Sequence, residues 1–441
     1  MKEEKEERAV LVGAGESRQM AELGRLAGTL GIAVSGVLEQ NRRDGTGYLG
    51  SGKREELRAL VAEVDALFVI ADDELTASQA RVLEKACGAS VVDRTELIIR
   101  IFEAHARDAA SRLEVELADL EYRLPRVKGK NPELSRLGGG GVTTRGPGEQ
   151  QLEYDRRVIR DRITTINRKL KDEKSGRAVR GTRLRESGTP TVALVGYTNA
   201  GKTTILNALS GANRSTRDRL FETLETTTRL VEGTGENGAD GAARPDFVIT
   251  DTVGFIRKLP TQLVHSFAST LEAAGDADVR VLCADASSPN LADEISTVAQ
   301  TLSETFGTVF DADLGSTNGA ARAGSGTTIL CLNKTDLIDQ EELRDLGARY
   351  PDAAMISALH DCGGLLDRIY ASISSQRQRM SLLIPHSDYA AASHLYGLAE
   401  IHARENTPDG VLMHVSLPSS AAPRYAPYKT TDNTLRRTHK R

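Results

Sequence analysis

The sequence predicts an α/β protein of several domains, and three features of its 441 residues carry that prediction. Short apolar runs alternate with helical stretches in two separate parts of the chain, which is typical of parallel β-sheets. A long basic segment with leucines and isoleucines at helical spacing separates these parts. A glycine-rich loop follows an apolar run in the second part. The chain is also longer than one hydrophobic core ordinarily supports, so more than one domain is expected.

The composition excludes several classes of protein. Apolar residues make up 39% and charged residues 27% of the chain, which fits a globular protein. The charged N-terminus holds no apolar signal core and no stretch is as long as a membrane span, so we expect a cytoplasmic protein without membrane insertion. The cysteines form no Cys-x-x-Cys pair, so neither a disulfide framework nor a zinc site is expected. They are Cys87, Cys283, Cys331 and Cys362.

Residues 1–106 are predicted to form an N-terminal α/β domain. Apolar runs at 9–12, 33–37, 66–70 and 89–92 alternate with helical stretches and predict a parallel sheet. Gly13 and Gly15 form half of a dinucleotide fingerprint, but Arg18 takes the place of the third glycine. A tight strand-to-helix turn is therefore the favoured interpretation of this glycine pair.

Residues 107–186 are predicted to form a basic antiparallel helical hairpin. Apolar residues spaced three, four or seven apart place one stripe along each of two long helices. The stripes consist of Leu113, Leu117, Leu120 and Leu124, and of Leu152, Ile159, Ile163, Ile166 and Leu170. The connector at 137–149 is rich in glycine and cannot build its own core, so we expect a mobile or functional tip.

The hairpin carries a strong positive charge in a protein whose net charge is −5. Between Arg123 and Arg185 the chain has 18 Lys and Arg against 7 Asp and Glu, a net of +11, so the remaining residues carry −16. A basic segment in an acidic protein indicates a polyanionic partner. An ordinary solvated helix face is the competing interpretation, but together with the glycine-rich tip the charge favours nucleic acid.

A strand, a glycine-rich loop and a helix follow one another from residue 190. The loop matches Gly-x-x-x-x-Gly-Lys-Thr, the phosphate-binding pattern, in the strand-to-helix context that the pattern requires. Backbone N–H groups would point at a phosphate, the lysine would reach its β and γ groups, and the threonine hydroxyl would bind Mg²⁺. The loop residues are Gly196, Tyr197, Thr198, Asn199, Ala200, Gly201, Lys202 and Thr203.

A second motif after a strand-like run contains a carboxylate and a glycine. Its residues are Asp251, Thr252, Val253 and Gly254. The carboxylate can hold Mg²⁺, often through water, and the glycine N–H can sense a γ-phosphate. Phe255 follows, where many small GTPases carry glutamine to orient the attacking water. Phenylalanine has no group for that hydrogen bond, so intrinsic hydrolysis should be slow. Either a partner surface or another residue of the chain is then expected to orient the attacking water.

Two last motifs indicate which nucleotide binds. They are Asn333, Lys334, Thr335 and Asp336, and then Ser357 with Ala358. The Asp336 carboxylate can accept hydrogen bonds from both N1–H and the exocyclic amine of guanine, and the backbone of the second motif can contact the guanine oxygen. Adenine lacks that donor pair, so ATP would leave a buried carboxylate unpaired. In this order the motifs predict a Ras-like α/β domain at 187–377 that binds guanine nucleotides.

The last part of the chain, 378–441, is predicted to form a small α+β domain. Strands are expected at 381–384 and 410–417 and a helix at 389–403, followed by a disordered basic tail from residue 430. Inside the preceding domain, the stretch at 306–326 is rich in small polar residues and is expected to be a surface loop.

The chain resembles the HflX family of ribosome-associated GTPases over nearly its whole length. The resemblance is carried by residues 41–44, 48–53, 72–79, 92–95, 144–153, 196–202 and 251–257. The family has a hydrophobic residue in place of the catalytic glutamine, which fits Phe255. It also implies a switch segment here formed by Phe221, Glu222, Thr223, Leu224 and Glu225. In that pattern Thr223 would be a second Mg²⁺ ligand beside Thr203, although several threonines lie nearby.

The resemblance also implies a partner, which is the large ribosomal subunit and its rRNA. Members of the family can separate the ribosomal subunits, and their hairpin reaches toward ribosomal RNA. Off the ribosome, the protein is expected to be a monomer.

Some members of the family bind ATP in the N-terminal domain. The sequence leaves this open here, because residues 9–106 contain no second phosphate loop. Two other interpretations remain, a signalling switch that binds a protein target without RNA and an RNA-binding scaffold that holds GTP without useful turnover.

Overall fold

The computed structural model describes residues 7–15, 19–127, 147–186, 188–211, 227–233, 244–258, 260, 263, 274–306, 326–418 and 421–430. The chain divides into two compact units. The first comprises Met1–Lys174, Thr216–Glu225 and Val253–Leu271, and the second comprises Ser175–Ser215, Thr226–Thr252 and Glu272–Arg441. The glycine-rich connector before residue 147, the predicted switch residues Phe221 to Glu225, the insert at 307–325 and the tail beyond 430 lie outside the described residues.

The first unit contains a four-stranded parallel sheet. Its strands are β1 (Arg8–Ala14), β2 (Ala33–Gln40), β3 (Phe68–Ala71) and β4 (Ser90–Asp93), in the order β2-β1-β3-β4. The helices between and after them are α1 (Met20–Thr29), α2 (Ser51–Glu63), α3 (Ala77–Cys87) and α4 (Arg94–His105). Buried aliphatic residues such as Val10, Val12, Leu57, Val69 and Leu83 form one core against the sheet.

Local side-chain caps explain where these helices begin. The Thr76 hydroxyl accepts a hydrogen bond from the Gln79 backbone N–H, and the Gln79 side chain accepts from the Thr76 N–H, so α3 starts with a capping box. Asp93 caps α4 by accepting from the Glu96 N–H. The end of β4 therefore passes directly into a helix, which brings the first residues of α4 to the carboxyl edge of the sheet.

Two helices follow in the basic segment. They are α5 (Ala109–Arg123) and α6 (Pro147–Glu186). Arg162 on α6 forms a two-pronged ion pair with Glu116 on α5, with N–O distances of 2.6 and 2.7 Å. Ile166 of the predicted apolar stripe is fully buried, whereas Tyr154 and Val158 on α6 are exposed. Within residues 153–173 of α6, one narrow apolar face is thus covered, and most of the other side chains are exposed.

The second unit contains a six-stranded sheet. Its elements in chain order are β5 (Thr191–Gly196), α7 (Lys202–Ser210), β6 (Thr227–Val231), β7 (Phe247–Asp251), β8 (Val279–Asp285), α8 (Leu291–Phe306), β9 (Thr327–Asn333), α9 (Gln340–Arg349), β10 (Ala354–Met355) and α10 (Gly363–Ser375). The strand order is β10-β9-β8-β5-β7-β6, and only β6 among these strands runs antiparallel. The architecture confirms the predicted multi-domain α/β class.

A three-stranded antiparallel sheet ends the described chain. It consists of β11 (Arg377–Ile384), β12 (Glu400–Thr407) and β13 (Gly410–Pro418) in the order β11-β13-β12, with helices α11 (Tyr389–Leu398) and α12 (Ala422–Tyr425). The helix predicted at 389–403 is therefore wrong beyond Leu398, because Glu400 to Ala403 begin β12. The alanine-rich sequence favours helix locally, but pairing with β13 through a tight turn ending at Gly410 prevails. Among the residues described, no helix combines the length and the apolar character needed to cross a membrane.

Candidate functional site

The glycine-rich loop joins β5 to α7 at the carboxyl edge of the six-stranded sheet. Gly201 has φ of 86°, and a Cβ there would lie 2.2 Å from Asn333 Nδ2. A Cβ on Gly196 would lie 2.1 Å from the Cys283 carbonyl oxygen. Side chains at these two positions would therefore force the loop away from its neighbours. The two glycines let the backbone of the loop follow the close path that a phosphate-binding loop requires.

Lys202 is the buried cation of this loop. Its Nζ donates to the carbonyl oxygens of Gly196 at 3.1 Å and Tyr197 at 2.9 Å. Burial lowers the pKa of this ammonium below its ordinary range, and the nearby Asp251 carboxylate opposes that effect. Within the described residues, the Thr198 hydroxyl is also buried and has no hydrogen-bond partner. A cation held on carbonyls and an unsatisfied hydroxyl both suit a loop that receives an anionic ligand.

Thr203 and Asp251 bring two oxygen atoms together. The Thr203 hydroxyl donates to Asp251 Oδ2 at 2.7 Å, and Asp251 at the end of β7 is fully buried. Hydroxyl and carboxylate oxygens are the hard ligands that Mg²⁺ prefers. The described part of the chain contains no group of three His, Cys, Asp or Glu side chains that could hold a metal ion. The neighbouring Thr252 hydroxyl points elsewhere and donates to the Leu194 carbonyl at 2.7 Å.

Asn333 at the end of β9 connects two loops of the site. Its Nδ2 donates to the Ala200 carbonyl of the glycine-rich loop at 3.0 Å, and its Oδ1 accepts from the Ala358 N–H at 2.9 Å. Asn333 is only 2% exposed, so both bonds are shielded from water. The Ala358 N–H is thereby engaged by a side chain. Sequence reasoning assigned that backbone to a guanine oxygen and did not anticipate the amide bridge.

Lys334 adopts a left-handed backbone with φ of 64° and is fixed by an ion pair. Its Nζ lies 2.7 Å from Oδ2 of Asp285, at the end of β8. Asp285 is a residue that sequence reasoning missed, although its position at the end of an apolar run was a usable signal. Asp285 pairs in register with Asn333 on β9. The parallel register therefore brings this carboxylate to the start of the Asn-Lys-x-Asp motif, where it holds the lysine stem in place.

Asp336 and Ser357 form the outermost pair of the site. The Ser357 hydroxyl donates to Asp336 Oδ1 at 2.6 Å, and this bond lowers the pKa of the Asp336 carboxyl. Thr335 stands between Lys334 and Asp336, and its N–H donates to the Ile356 carbonyl at 3.2 Å. Asp336 is exposed in this structure, which corrects the expectation of a buried carboxylate.

The residues after Asp251 and Thr252 belong to the first compact unit. Val253, Phe255 and Ile256 are buried there, at 7%, 2% and 1% exposure. Gly254 lies between two of them, and the Phe255 ring offers no polar atom. The proposed switch threonine, Thr223, and its neighbours Phe221, Glu222, Leu224 and Glu225 lie outside the described residues.

The strand order, the glycine loop and the residues around Asn333 place this chain in the class of P-loop GTPases. Residues 191–310 match the family described as 50S ribosome-binding GTPase. Residues 17–103 and 105–183 match the families described as the GTP-binding GTPase N-terminal and middle regions.

Two relatives give the comparison over longer stretches. A GTPase HflX from Caldanaerobacter subterraneus is 46% identical over 305 residues, which cover 68% of this chain and 69% of the relative. A GTPase HflX from Gluconacetobacter diazotrophicus is 34% identical over 469 residues, covering 93% of this chain and 96% of the relative. The chain therefore belongs to the HflX family of GTPases and is a GTP hydrolase.

One solved structure is similar over much of the chain. It is a GTP-binding protein from the hyperthermophilic archaeon Sulfolobus solfataricus in complex with GDP, with 19% identity and a TM-score of 0.41. The match covers 83% of this chain and 99% of that chain. A TM-score this low supports no structural argument.

Proposed function

We propose that this GTPase binds the large ribosomal subunit in its GTP form and acts in ribosome splitting, rescue or biogenesis. The observation that carries the proposal is the exposed basic surface of α6. Its arginines Arg157 and Arg160 have side chains that are 79% and 57% exposed, and their nearest carboxylates lie 3.9 and 4.0 Å away. Such a row can neutralise RNA phosphates and release their counterions. The match of residues 191–310 to a family described as ribosome-binding supports the same partner, and a ribosomal partner implies a cytoplasmic protein.

The nucleotide would lie along the glycine-rich loop and the base-side residues. The loop backbone and Lys202 would bind the β and γ phosphates, while Asp336 would accept both guanine N–H donors beside Lys334 and Ser357. This assignment is supported by the lysine that is held on the loop and by the bridge through Asn333. Gly254 would donate its N–H to the γ-phosphate, with Thr252 and Val253 placing it.

Thr203 would hold Mg²⁺ together with Thr223 of the switch segment, and Asp251 would act through water. When bound, Mg²⁺ neutralises negative charge on the phosphate oxygens. The 2.7 Å contact between Thr203 and Asp251 supports this assignment, because it brings two hard oxygen donors to one point at the edge of the sheet. Phe255 cannot orient water, so we expect slow hydrolysis by the protein alone and faster hydrolysis on the ribosome.

Co-sedimentation with large ribosomal subunits tests the partner. Binding should be strongest with a non-hydrolysable GTP analogue, weaker with GDP and without nucleotide, and should fall as salt rises. The double variant Arg157→Ala with Arg160→Ala should bind less tightly and lose part of that salt dependence.

A matched control keeps the same change of charge away from α6. Arg58→Ala with Arg81→Ala, on exposed positions of α2 and α3, should bind subunits as the unchanged protein does. Absence of co-sedimentation at low salt in every nucleotide state would contradict the ribosomal partner. Equal losses in both double variants would show that α6 is not the contact surface.

A further inference from the structure

Thr198 is a buried polar residue in the glycine-rich loop between β5 and α7. It is 7% exposed, and among the residues that the structure describes its hydroxyl oxygen has no hydrogen-bond partner. A buried hydroxyl without a hydrogen bond is unfavourable, because water satisfies the same group in the unfolded chain. Such a group in a folded protein therefore calls for a physical reason, and a ligand that completes the bond is one.

Two other threonine hydroxyls near the loop have acceptors within the protein. Thr203, the second residue of α7, donates to Asp251 Oδ2 at 2.7 Å. Thr252 donates to the Leu194 carbonyl at 2.7 Å. The fold thus supplies acceptors for hydroxyls at this edge of the sheet. Of these three threonines, Thr198 is the one whose hydroxyl remains available to an acceptor from outside the chain.

Lys202 indicates which kind of group that acceptor is. Its Nζ lies 2.9 Å from the Tyr197 carbonyl, and Tyr197 directly precedes Thr198, so the threonine is joined to the peptide group that the ammonium contacts. The lysine of a phosphate-binding loop reaches the β and γ phosphates. Phosphate oxygens accept hydrogen bonds, and a neutral hydroxyl that donates to a charged oxygen forms one of the stronger bonds in proteins.

The backbone is fixed on both sides of Thr198. Before it, the Tyr197 carbonyl is bound by the lysine ammonium. After it, Asn199 has a left-handed backbone with φ of 64°, and the Ala200 carbonyl accepts from Asn333 Nδ2 at 3.0 Å. Threonine is also restricted at χ1 because it is branched at Cβ. A donor that is held in this way loses little freedom when a ligand binds.

We propose that the Thr198 side chain is a further phosphate-binding group, whose hydroxyl donates to an oxygen of the phosphates bound by Lys202. This inference rests on the proposed nucleotide site, and it adds a side chain to the contacts made by the loop backbone and the lysine. The hydroxyl then has two opposite effects. It lowers the stability of the nucleotide-free protein, and it raises the affinity for the nucleotide.

Thr198→Val separates these two effects, because valine has nearly the shape of threonine but no hydroxyl. In chemical denaturation without nucleotide, the variant should be at least as stable as the unchanged protein, since a buried unsatisfied group is removed. In isothermal titration, its affinity for GDP and for a non-hydrolysable GTP analogue should fall about tenfold. Thr198→Ser retains the hydroxyl and should retain most of both affinities.

Thr328→Val is the matched control in the same unit. The Thr328 hydroxyl is also buried and has no hydrogen-bond partner within the described residues. Thr328 lies near the start of β9 (Thr327–Asn333), whereas the proposed site lies at the end of this strand. The control variant should likewise be at least as stable as the unchanged protein, and it should bind both nucleotides with unaltered affinity.

Three results would overturn the inference. They are unchanged nucleotide affinity in Thr198→Val, a loss of the same size in Thr198→Ser, and a marked loss of stability in nucleotide-free Thr198→Val. The last result would mean that the hydroxyl has a partner within the protein. Failure of the proposed nucleotide site gives a different pattern, because Lys202→Ala would then also bind GDP and the analogue as the unchanged protein does.

Discussion

The four-stranded parallel sheet and the mostly parallel six-stranded sheet end differently at the carboxyl edges of their parallel strands. In the second unit, β5 leads into a loop built on Gly196 and Gly201, where added Cβ atoms would collide with neighbouring atoms. In the first unit, β3 leads into Asp72 and Asp73, whose carboxylates are already bound by cations of that unit. Parallel strand order places a potential site at both edges. The side chains at each edge determine whether that edge can bind a nucleotide, as proposed for the second unit, or forms ion pairs within the protein, as in the first unit.

The comparison predicts that only the second unit binds GTP. Among the variants considered, Lys202→Ala should have the largest effect on that binding. Loss of the buried ammonium should lower affinity for both GTP and GDP by about 100-fold, since charge-assisted hydrogen bonds to phosphate are lost. Isothermal titration measures both affinity and stoichiometry. Lys85→Ala is the matched control on an exposed face. Tight guanine-nucleotide binding that survives in Lys202→Ala would mean that another part of the chain also binds it.

Asp336→Asn tests whether the second unit recognises the guanine base through this carboxylate. The amide cannot accept from both guanine N–H donors, so GTP affinity should fall by about 10- to 100-fold. Xanthosine triphosphate, which offers an acceptor where guanine has its amine, should gain affinity in the variant. Competition binding with GTP, ATP and the xanthine nucleotide measures the change. An unaltered preference for GTP would refute the assignment of Asp336.

Tyr48→Phe tests the edge of the other sheet. The Tyr48 hydroxyl donates to Asp73 at 2.9 Å and accepts from the Ala14 N–H at 3.1 Å, and the residue is 2% exposed. Its removal leaves a buried N–H and a carboxylate short of a partner, which should lower the free energy of unfolding by about 1–2 kcal/mol. GDP affinity should not change. Tyr154→Phe on exposed α6 is the control in chemical denaturation, and equal stabilities of the two variants would contradict the assigned bonds.

The pH dependence of GDP binding gives the smallest expected effect. The hydrogen bond from Ser357 lowers the pKa of the Asp336 carboxyl, so the base-side acceptor stays ionised and affinity should be flat from about pH 8 to pH 5 on its account. Burial lowers the pKa of Lys202, so its charge is lost as pH rises, before an ordinary lysine would titrate. Affinity should therefore decline on the alkaline side. A profile that weakens toward acid instead would contradict both assignments.

The sequence predicted those parts of the proposed site whose structure depends on residues close together along the chain. Strand, loop and helix around Lys202 follow from local patterns, because periodicity and glycine spacing act over a few residues. The bond from Lys334 to Asp285 and the ion pair of Lys258 with Asp73 join residues 49 and 185 positions apart, which a single sequence cannot pair. Strand β12 was missed for a related reason, since its alanine favours helix and only pairing with β13 decides otherwise.

The bridge formed by Asn333 has a consequence for inhibitor design. Because one amide ties the glycine-rich loop to the Ala358 loop, the two halves of the proposed nucleotide site are already assembled relative to each other. A base fragment and a phosphate mimic would each meet a preformed half-site, and a linker joining them would not have to reorganise the protein. Ligands that displace the amide instead would loosen both halves together. Linked fragments should therefore be designed so that they leave both hydrogen bonds of Asn333 intact.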